Sequence, residues 1–219
     1  MRTSAVALLI LLLPFSAFSQ TTIFSSGDAG YFLYHSDNLL PITEDEDISF
    51  HYGGSVGVEM PLSEDFMVRM EAAFFRTGTT TLFDNILIAS PPSFTITTRS
   101  ATLVQRTFPV DISLSPRTAA GLSYAAGISF AYTNRRTEFP FQSGMDPFID
   151  AFNSFGIGVN GSIRSMFAVD DDGRFLLFGA LKLRYIHTVL YEGNGRDLSG
   201  YTLEYFHGHC SVGLAWRLW

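Results

Sequence analysis

Ile48-Ser49-Phe50-His51-Tyr52-Gly53-Gly54-Ser55-Val56-Gly57-Val58-Glu59-Met60 alternates two kinds of residue with a period of two. Phe50, Tyr52, Val56, Val58 and Met60 share one parity, with Gly54 among them, while Ser49, His51, Gly53, Ser55, Gly57 and Glu59 share the other. Successive side chains of a strand point to opposite faces, so the stretch predicts a strand with one large apolar face and one small, polar face.

The pattern repeats along the chain. After a short turn at residues 61–65, Phe66, Val68, Met70, Ala72 and Phe74 alternate with Arg69 and Glu71. Phe108, Val110, Ile112 and Leu114 close a segment starting near Arg99, and Tyr124, Ile128, Phe130 and Tyr132 mark residues 121–133. Further strands are predicted over Asn153–Phe167, Phe175–His187 and about Tyr201–Leu218, with an eighth, fainter one over Ala29–His35. Short turns at 61–65, 114–117 and 168–173 alternate with longer connections near 37–47, 77–93, 134–150 and 190–200. An even number of two-faced strands, with short turns at one rim and long loops at the other, predicts an all-β fold: an eight-stranded antiparallel up-and-down transmembrane β-barrel.

Composition agrees with this reading. The chain of 219 residues is 47% hydrophobic and only 16% charged, against roughly 25% charged in a soluble domain. Arg2, the apolar run Ala5–Phe15 and the small residues Ala17 and Ser19 read as a secretory signal peptide over 1–19, leaving 20–219 as one barrel domain. Beyond Gln20 no uninterrupted apolar run is long enough for a spanning helix, so a membrane role requires strands closed on themselves. The single cysteine, Cys210, excludes an intramolecular disulfide framework, and the net charge of −7 argues against nucleic acid as a partner.

Alternation alone does not say which face looks out. A soluble, lipocalin-like barrel would point its large apolar face at a ligand and cover its outside with Lys, Glu and Asp. Here the small face of residues 121–133 is Gly, Ser, Ala and Thr with no charge, which suits a narrow lumen. Turning the apolar face outward places Glu59, Arg69, Glu71, Asp111, Arg164, Lys182, Arg184 and Arg217 inside. Charges taken out of water must pair, so these predict a lumen ion-pair network. Its five bases against three acids hint at an anion or a missing acid. Arg106 falls on the outward parity, which predicts a position near the rim or a β-bulge that resets the register.

The chain resembles the PorT-like outer-membrane β-barrel family of Bacteroidota. The likeness lies in Phe50-His51-Tyr52-Gly53-Gly54 through Met60-Pro61-Leu62-Ser63, in Phe108-Pro109-Val110-Asp111-Ile112, in Arg184-Tyr185 and in Trp216-Arg217-Leu218. Thr107, where that family tends to have Glu, and the terminal Leu218-Trp219 depart from it. The resemblance implies an eight-stranded barrel in the outer membrane of a Gram-negative bacterium and transfers no activity. The expected partners are outer-membrane lipid or lipopolysaccharide, with envelope proteins meeting the loops. No nucleic acid, cofactor or metal is expected, and the chain reads as a monomer.

Several motifs compete for a chemical reading. Gly156-Ile157-Gly158-Val159-Asn160-Gly161 fits the dinucleotide pattern but sits inside a predicted strand with no helix after it. Asp170-Asp171-Asp172-Gly173 lacks the spacing and closing Glu of a calcium loop. Asn160-Gly161-Ser162 is a glycosylation sequon in mid-strand. His207 and His209 share a strand face, but two ligands are too few for a metal without help from another strand. Arg184-Tyr185-Ile186-His187 resembles a strand segment of lipid A deacylases, yet Val189 stands where their nucleophilic Ser would be. The expectation is therefore a non-enzymatic membrane barrel with no catalytic residue. A lipid A-modifying acyl hydrolase or transferase and a small-ligand-binding barrel are the alternatives.

Overall fold

The computed structural model describes residues 21–35, 48–77, 80–90, 93–117, 121–139, 148–193, 196–197 and 204–218. The proposed signal peptide at 1–19 lies outside them. The strands are β1 (Thr22–His35), β2 (Ile48–Pro61), β3 (Phe66–Thr77), β4 (Thr80–Ser90), β5 (Ser93–Pro116), β6 (Leu122–Phe139), β7 (Phe148–Ala168), β8 (Phe175–Gly193), β9 (Arg196–Asp197) and β10 (Glu204–Arg217). Eight of them form a closed antiparallel barrel, in the order β1-β2-β3-β5-β6-β7-β8-β10, with β10 returning to β1. Closure leaves no edge in the ring, so every wall strand is paired on both sides.

The two-residue period becomes two surfaces. In β10 the side chains of Tyr205, His207, His209, Ser211 and Ala215 are buried, while Phe206, Val212, Leu214 and Trp216 between them are exposed. The same alternation runs around the ring and leaves a continuous outward apolar surface. Phe66, Tyr124, Phe167, Phe175 and Trp216 mark it near the short-turn rim, and Trp216 stacks on Phe175 at 6.1 Å. Tyr31, Phe50, Phe74, Phe108, Tyr132 and Phe155 mark it toward the other rim, with Val56, Val110, Ile128, Val159, Leu181 and Leu214 between the two aromatic groups.

The short turns are held by local chemistry. Leu62 and Ser63 donate their backbone N–H groups to Phe66 O at 2.9 and 3.1 Å, and Ser63 Oγ accepts from Phe66 N at 3.2 Å. In the β7–β8 turn Asp170 accepts from the backbone N–H groups of Arg174 and Phe175 at 3.2 and 2.8 Å. Gly173 there takes φ +64°, a left-handed conformation that a residue without Cβ adopts at no steric cost. The triple-Asp segment is thus a solvated turn.

The other rim departs from expectation. The segments read as long connections near 77–93 and 134–150 are partly strand: β4 pairs with β5 from Thr80↔Leu103 to Ser90↔Ser93, and β6 runs on to Phe139. These stretches carry β-branched Thr and Ile, which favour strands, but their sequence shows no strict period of two. At 24 residues β5 is more than twice the 9–11 residues needed to cross a bilayer. The strands β5 to β8 therefore extend beyond the apolar surface.

Candidate functional site: a charged layer across the lumen

The lumen is layered. Phe24, Leu176, Phe178 and Ala215 form an apolar cluster near the short-turn rim, and Phe32, Phe75, Ala131, Ile186 and Tyr205 form another toward the long rim. Between them lie Asp28, Glu59, Arg69, Glu71, Asp111, Arg164, Lys182 and Arg184, all buried.

Strand register explains who meets whom. Glu59 and Arg69 are direct cross-strand partners on β2 and β3. Arg69 Nε donates to Glu59 Oε2 at 2.7 Å, its Nη2 lies 2.7 Å from the same oxygen, and its Nη1 reaches Ser162 Oγ at 3.0 Å on β7. Glu71 and Asp111 face each other on β3 and β5, a like-charge pairing that costs stability by itself. Two bases from β8, two residues apart and so on one face, offset it. Lys182 Nζ lies 2.5 Å from Glu71 Oε1. Arg184 engages Asp111 side-on, with Nε donating to Oδ1 and Oδ2 at 3.0 and 2.8 Å and Nη2 donating to Oδ2 at 2.5 Å. Acids on one wall thus hold bases from the facing wall, and the ion pairs span the barrel interior.

Hydroxyls and amides fill the rest. Ser129 Oγ donates to Asp111, and Asn160 Nδ2 donates to Ser129 Oγ at 3.0 Å while its Oδ1 accepts from Ser113 at 2.7 Å. Asn160 is therefore committed to the lumen, and the sequon is silent as a surface site. Lys182 also reaches Ser55 at 3.4 Å, Ser55 and Ser26 share a hydrogen bond of 2.7 Å, and Ser26 donates to Asp28 at 2.9 Å. A cavity of about 10 Å³ remains between Arg69, Glu71, Asp111, Asn160, Lys182 and Arg184, room for about one water.

Two residues change the expected charge count. Arg217 keeps the inward parity but lies at the end of β10, where it is exposed and makes no ion pair among the described residues. It belongs to the rim because the strand ends there. Asp28, which the short reading of the first strand left out, is buried on β1 and adds the missing acid. The buried layer then holds four acids and four bases, and the hint of an unmatched anion site disappears. Arg164 is the least satisfied member. Its Nε, Nη1 and Nη2 have no hydrogen-bond partner among the described residues, its Nη1 is 3.8 Å from Glu59, and its guanidinium lies between the rings of Phe24 and Phe178 at 4.2 and 4.5 Å.

Three imidazoles extend the layer toward the long rim. His207 and His209 come from β10 and His51 from β2, on either side of β1. Gly30 is the register partner of both His51 and His209, and a Cβ there would stand 2.5 Å from His209 Cα, so the glycine lets the rings converge. This third ring was invisible to spacing because it lies 156 residues from His207 in sequence. The three rings present nitrogens within 4.8 Å of one another, but the hydrogen bonds assign their protons. Arg184 Nη1 lies 3.2 Å from His207 Nδ1 and 3.5 Å from His209 Nδ1, and a guanidinium only donates. Both Nε2 atoms then carry hydrogen, and His207 Nε2–H donates to His51 Nε2 at 2.6 Å. No ring keeps a free lone pair for a metal while Arg184 holds this position. Phe32 stacks on His207 at 4.2 Å and Phe75 caps it edge-on at 4.5 Å. The histidines are the hydrogen-bonded end of the Arg184–Asp111 pair.

Outside the lumen, His187 Nδ1 meets Glu204 Oε1 at 3.0 Å on the outward faces of β8 and β10. The pair is half-exposed. A β-bulge follows it: Gly156 pairs with Thr188 and Phe155 with Leu190, so Val189 is the extra residue. The Gly156–Gly161 run lies wholly inside β7, which removes the dinucleotide reading.

No family model and no curated protein matches the chain. Among solved structures it is similar to Ail, the attachment invasion locus protein of Yersinia pestis, at 10% identity and a TM-score of 0.49, covering 91% of this chain and 99% of that one. A major outer membrane protein from Thermus thermophilus is similar at 11% identity and a TM-score of 0.49, covering 90% and 98%. Neisserial surface protein A is similar at 11% identity and a TM-score of 0.42, covering 89% and 96%.

Proposed function

We propose that the chain is an integral outer-membrane β-barrel whose extended long-rim strands and loops act at the cell surface, with a structural, interaction or envelope-assembly role and no catalysis in the lumen. The observation that carries this reading is the uncharged band of exposed Val, Leu, Ile and aromatic side chains around a closed barrel. Such a band is intolerable in water and is what hydrocarbon requires. The likeness of Phe108–Ile112 and Trp216–Leu218 to PorT-like barrels supports a Bacteroidota setting for it. The test is fractionation of cells producing the full chain. The protein is expected in outer membranes, released only by detergent and migrating differently on gels before and after boiling. Recovery as a freely soluble protein sinks the reading.

A second reading rests on the His187–Glu204 pair, an acid-oriented imidazole of the kind that activates a hydroxyl nucleophile. Val189, two residues on from the His, supplies no nucleophile. The lipid A mass spectrum of cells with and without the protein decides the matter. Identical spectra are expected, and a lost or gained acyl chain would install the enzyme reading.

A further inference from the structure

The outward face of β3, β5, β6 and β7 carries two adjacent rows of different chemistry. The lower row is aromatic: Phe74 meets Phe108 at 5.0 Å, Phe108 meets Tyr132 at 6.2 Å, and Tyr132 pairs with Phe155. Two residues closer to the long rim, the row is polar. Arg76 pairs with Arg106, Arg106 with Asn134, and Asn134 with Asn153. Tyr132 Oη and Asn134 Nδ2 both donate to Asn153 Oδ1 at 2.8 Å, so that end of the row is satisfied within itself. The arginines are not. Both are exposed, and neither has an ion pair or hydrogen bond among the described residues. The next charges on this wall, Arg136 and Glu138, neutralise each other at 2.7 Å. The ladder skips Ala73 and Phe74 but resumes at Phe75↔Thr107 and Arg76↔Arg106 with the offset it had at Ala72↔Val110, so no bulge turns Arg106 inward, and its outward position is the one its parity gives.

Two guanidinium groups directly opposite on neighbouring strands repel, and this pair takes two of the chain's 14 basic residues. An aromatic row marks the depth where hydrocarbon gives way to headgroups. A cationic pair immediately above it stands at headgroup level, on the wall that faces lipid. Guanidinium groups take phosphate oxygens in a forked geometry that a point charge does not match. The long-loop rim of such a barrel is the extracellular one, and the phosphorylated lipid of that leaflet is lipid A. We infer that Arg76 and Arg106 clamp a phosphate of lipid A, with Phe74 and Phe108 against its acyl chains. The inference rests on the outer-membrane reading above and names the lipid that this wall takes.

The test compares wild type with the Arg76→Gln/Arg106→Gln double variant, refolded in detergent, by native mass spectrometry with diphosphoryl lipid A, dephosphorylated lipid A or inorganic phosphate. Gel migration before boiling reports folding, and the variant is expected to fold because it removes a repulsion. Wild type is expected to retain diphosphoryl lipid A about tenfold better than the variant, a difference of about 1.4 kcal/mol. Dephosphorylated lipid A is expected to be held weakly and equally by both, and millimolar inorganic phosphate is expected not to displace the lipid. Equal retention of diphosphoryl lipid A by a folded wild type and a folded variant overturns the clamp and leaves the membrane reading intact. Displacement by inorganic phosphate overturns the lipid as source. A wild type that stays soluble without detergent overturns both readings together.

Discussion

At the residue scale, Asp111 and Arg164 show why buried charges are not interchangeable. Asp111 receives three hydrogen bonds from Arg184, whose remaining Nη1 supports two histidines. Asp111→Ala would deprive a buried guanidinium of its close partner, leaving Glu71 at 3.8 Å, and breaking such a pair from one side costs about 3–5 kcal/mol. Asp111→Leu combined with Arg184→Met removes both charges and should recover most of that loss. Urea unfolding of the folded barrel in lipid vesicles measures both, and a double variant as unstable as the single would refute the pairing argument. Arg164 predicts the opposite. It donates no hydrogen bond among the described residues, and its desolvation is offset by two ring faces at about 2 kcal/mol each. Met in the same sandwich keeps favourable sulfur–ring contacts without the buried ion, and Glu59 keeps Arg69. Arg164→Met is therefore expected to leave stability within about 1 kcal/mol or raise it, whereas Arg69→Met, which deprives Glu59 of its close partner, should cost about 3 kcal/mol or more. Equal losses in the two variants would show that Arg164 is held by something other than the two rings.

At the element scale, the β4–β5 hairpin stands apart from the ring. Among the described residues β4 pairs only with β5, and the ring segment of β5 begins to pair with β6 at Thr102↔Glu138. Replacing residues 80–101 by a short Gly-Ser link should leave a folded barrel, still heat-modifiable on gels. A chain that no longer folds would make the hairpin part of the barrel's foundation. This element also shows what sequence reveals. Wall strands were legible because an outward apolar surface on one side and a filled lumen on the other impose a strict period of two, as in Ile48–Met60 and Leu122–Thr133. Across Thr80–Leu103 the sequence follows no strict period of two, so its strand character left no alternation to read. The lumen charges Glu59, Arg69, Glu71, Asp111, Lys182 and Arg184 were legible for the same reason as the walls. Asp28 was missed because Ser25, Ser26, Gly27 and Ala29 around it give no apolar face. His51 could be placed on the inner face, but its meeting with His207 and His209 depends on β10 closing onto β1, a contact between chain ends that no local pattern encodes.

At the scale of the whole molecule, the lumen can be judged as a path. A permeating ion would first meet Phe24, Leu176 and Phe178, then the Glu59–Arg69, Lys182–Glu71 and Arg184–Asp111 pairs, and finally Phe32, Phe75 and Tyr205. The central layer leaves about 10 Å³, one water's worth of space. Eight strands give an interior just wide enough for side chains to fill, and here they do. The intact barrel should show no steady conductance in planar bilayers, and stable channels of uniform size would overturn the filled-lumen reading. The layering predicts more than closure. Phe32→Ala with Phe75→Ala strips the long-rim plug but leaves the cross-lumen ion pairs, so the variant should stay closed. Adding Arg184→Ala and Asp111→Ala removes one central pin, but the Lys182–Glu71 and Glu59–Arg69 pairs and the Phe24–Phe178 cluster stay, so this combination should stay closed too. Conductance already in the phenylalanine variant would mean that the apolar cluster, and not the charge layer, closes the barrel.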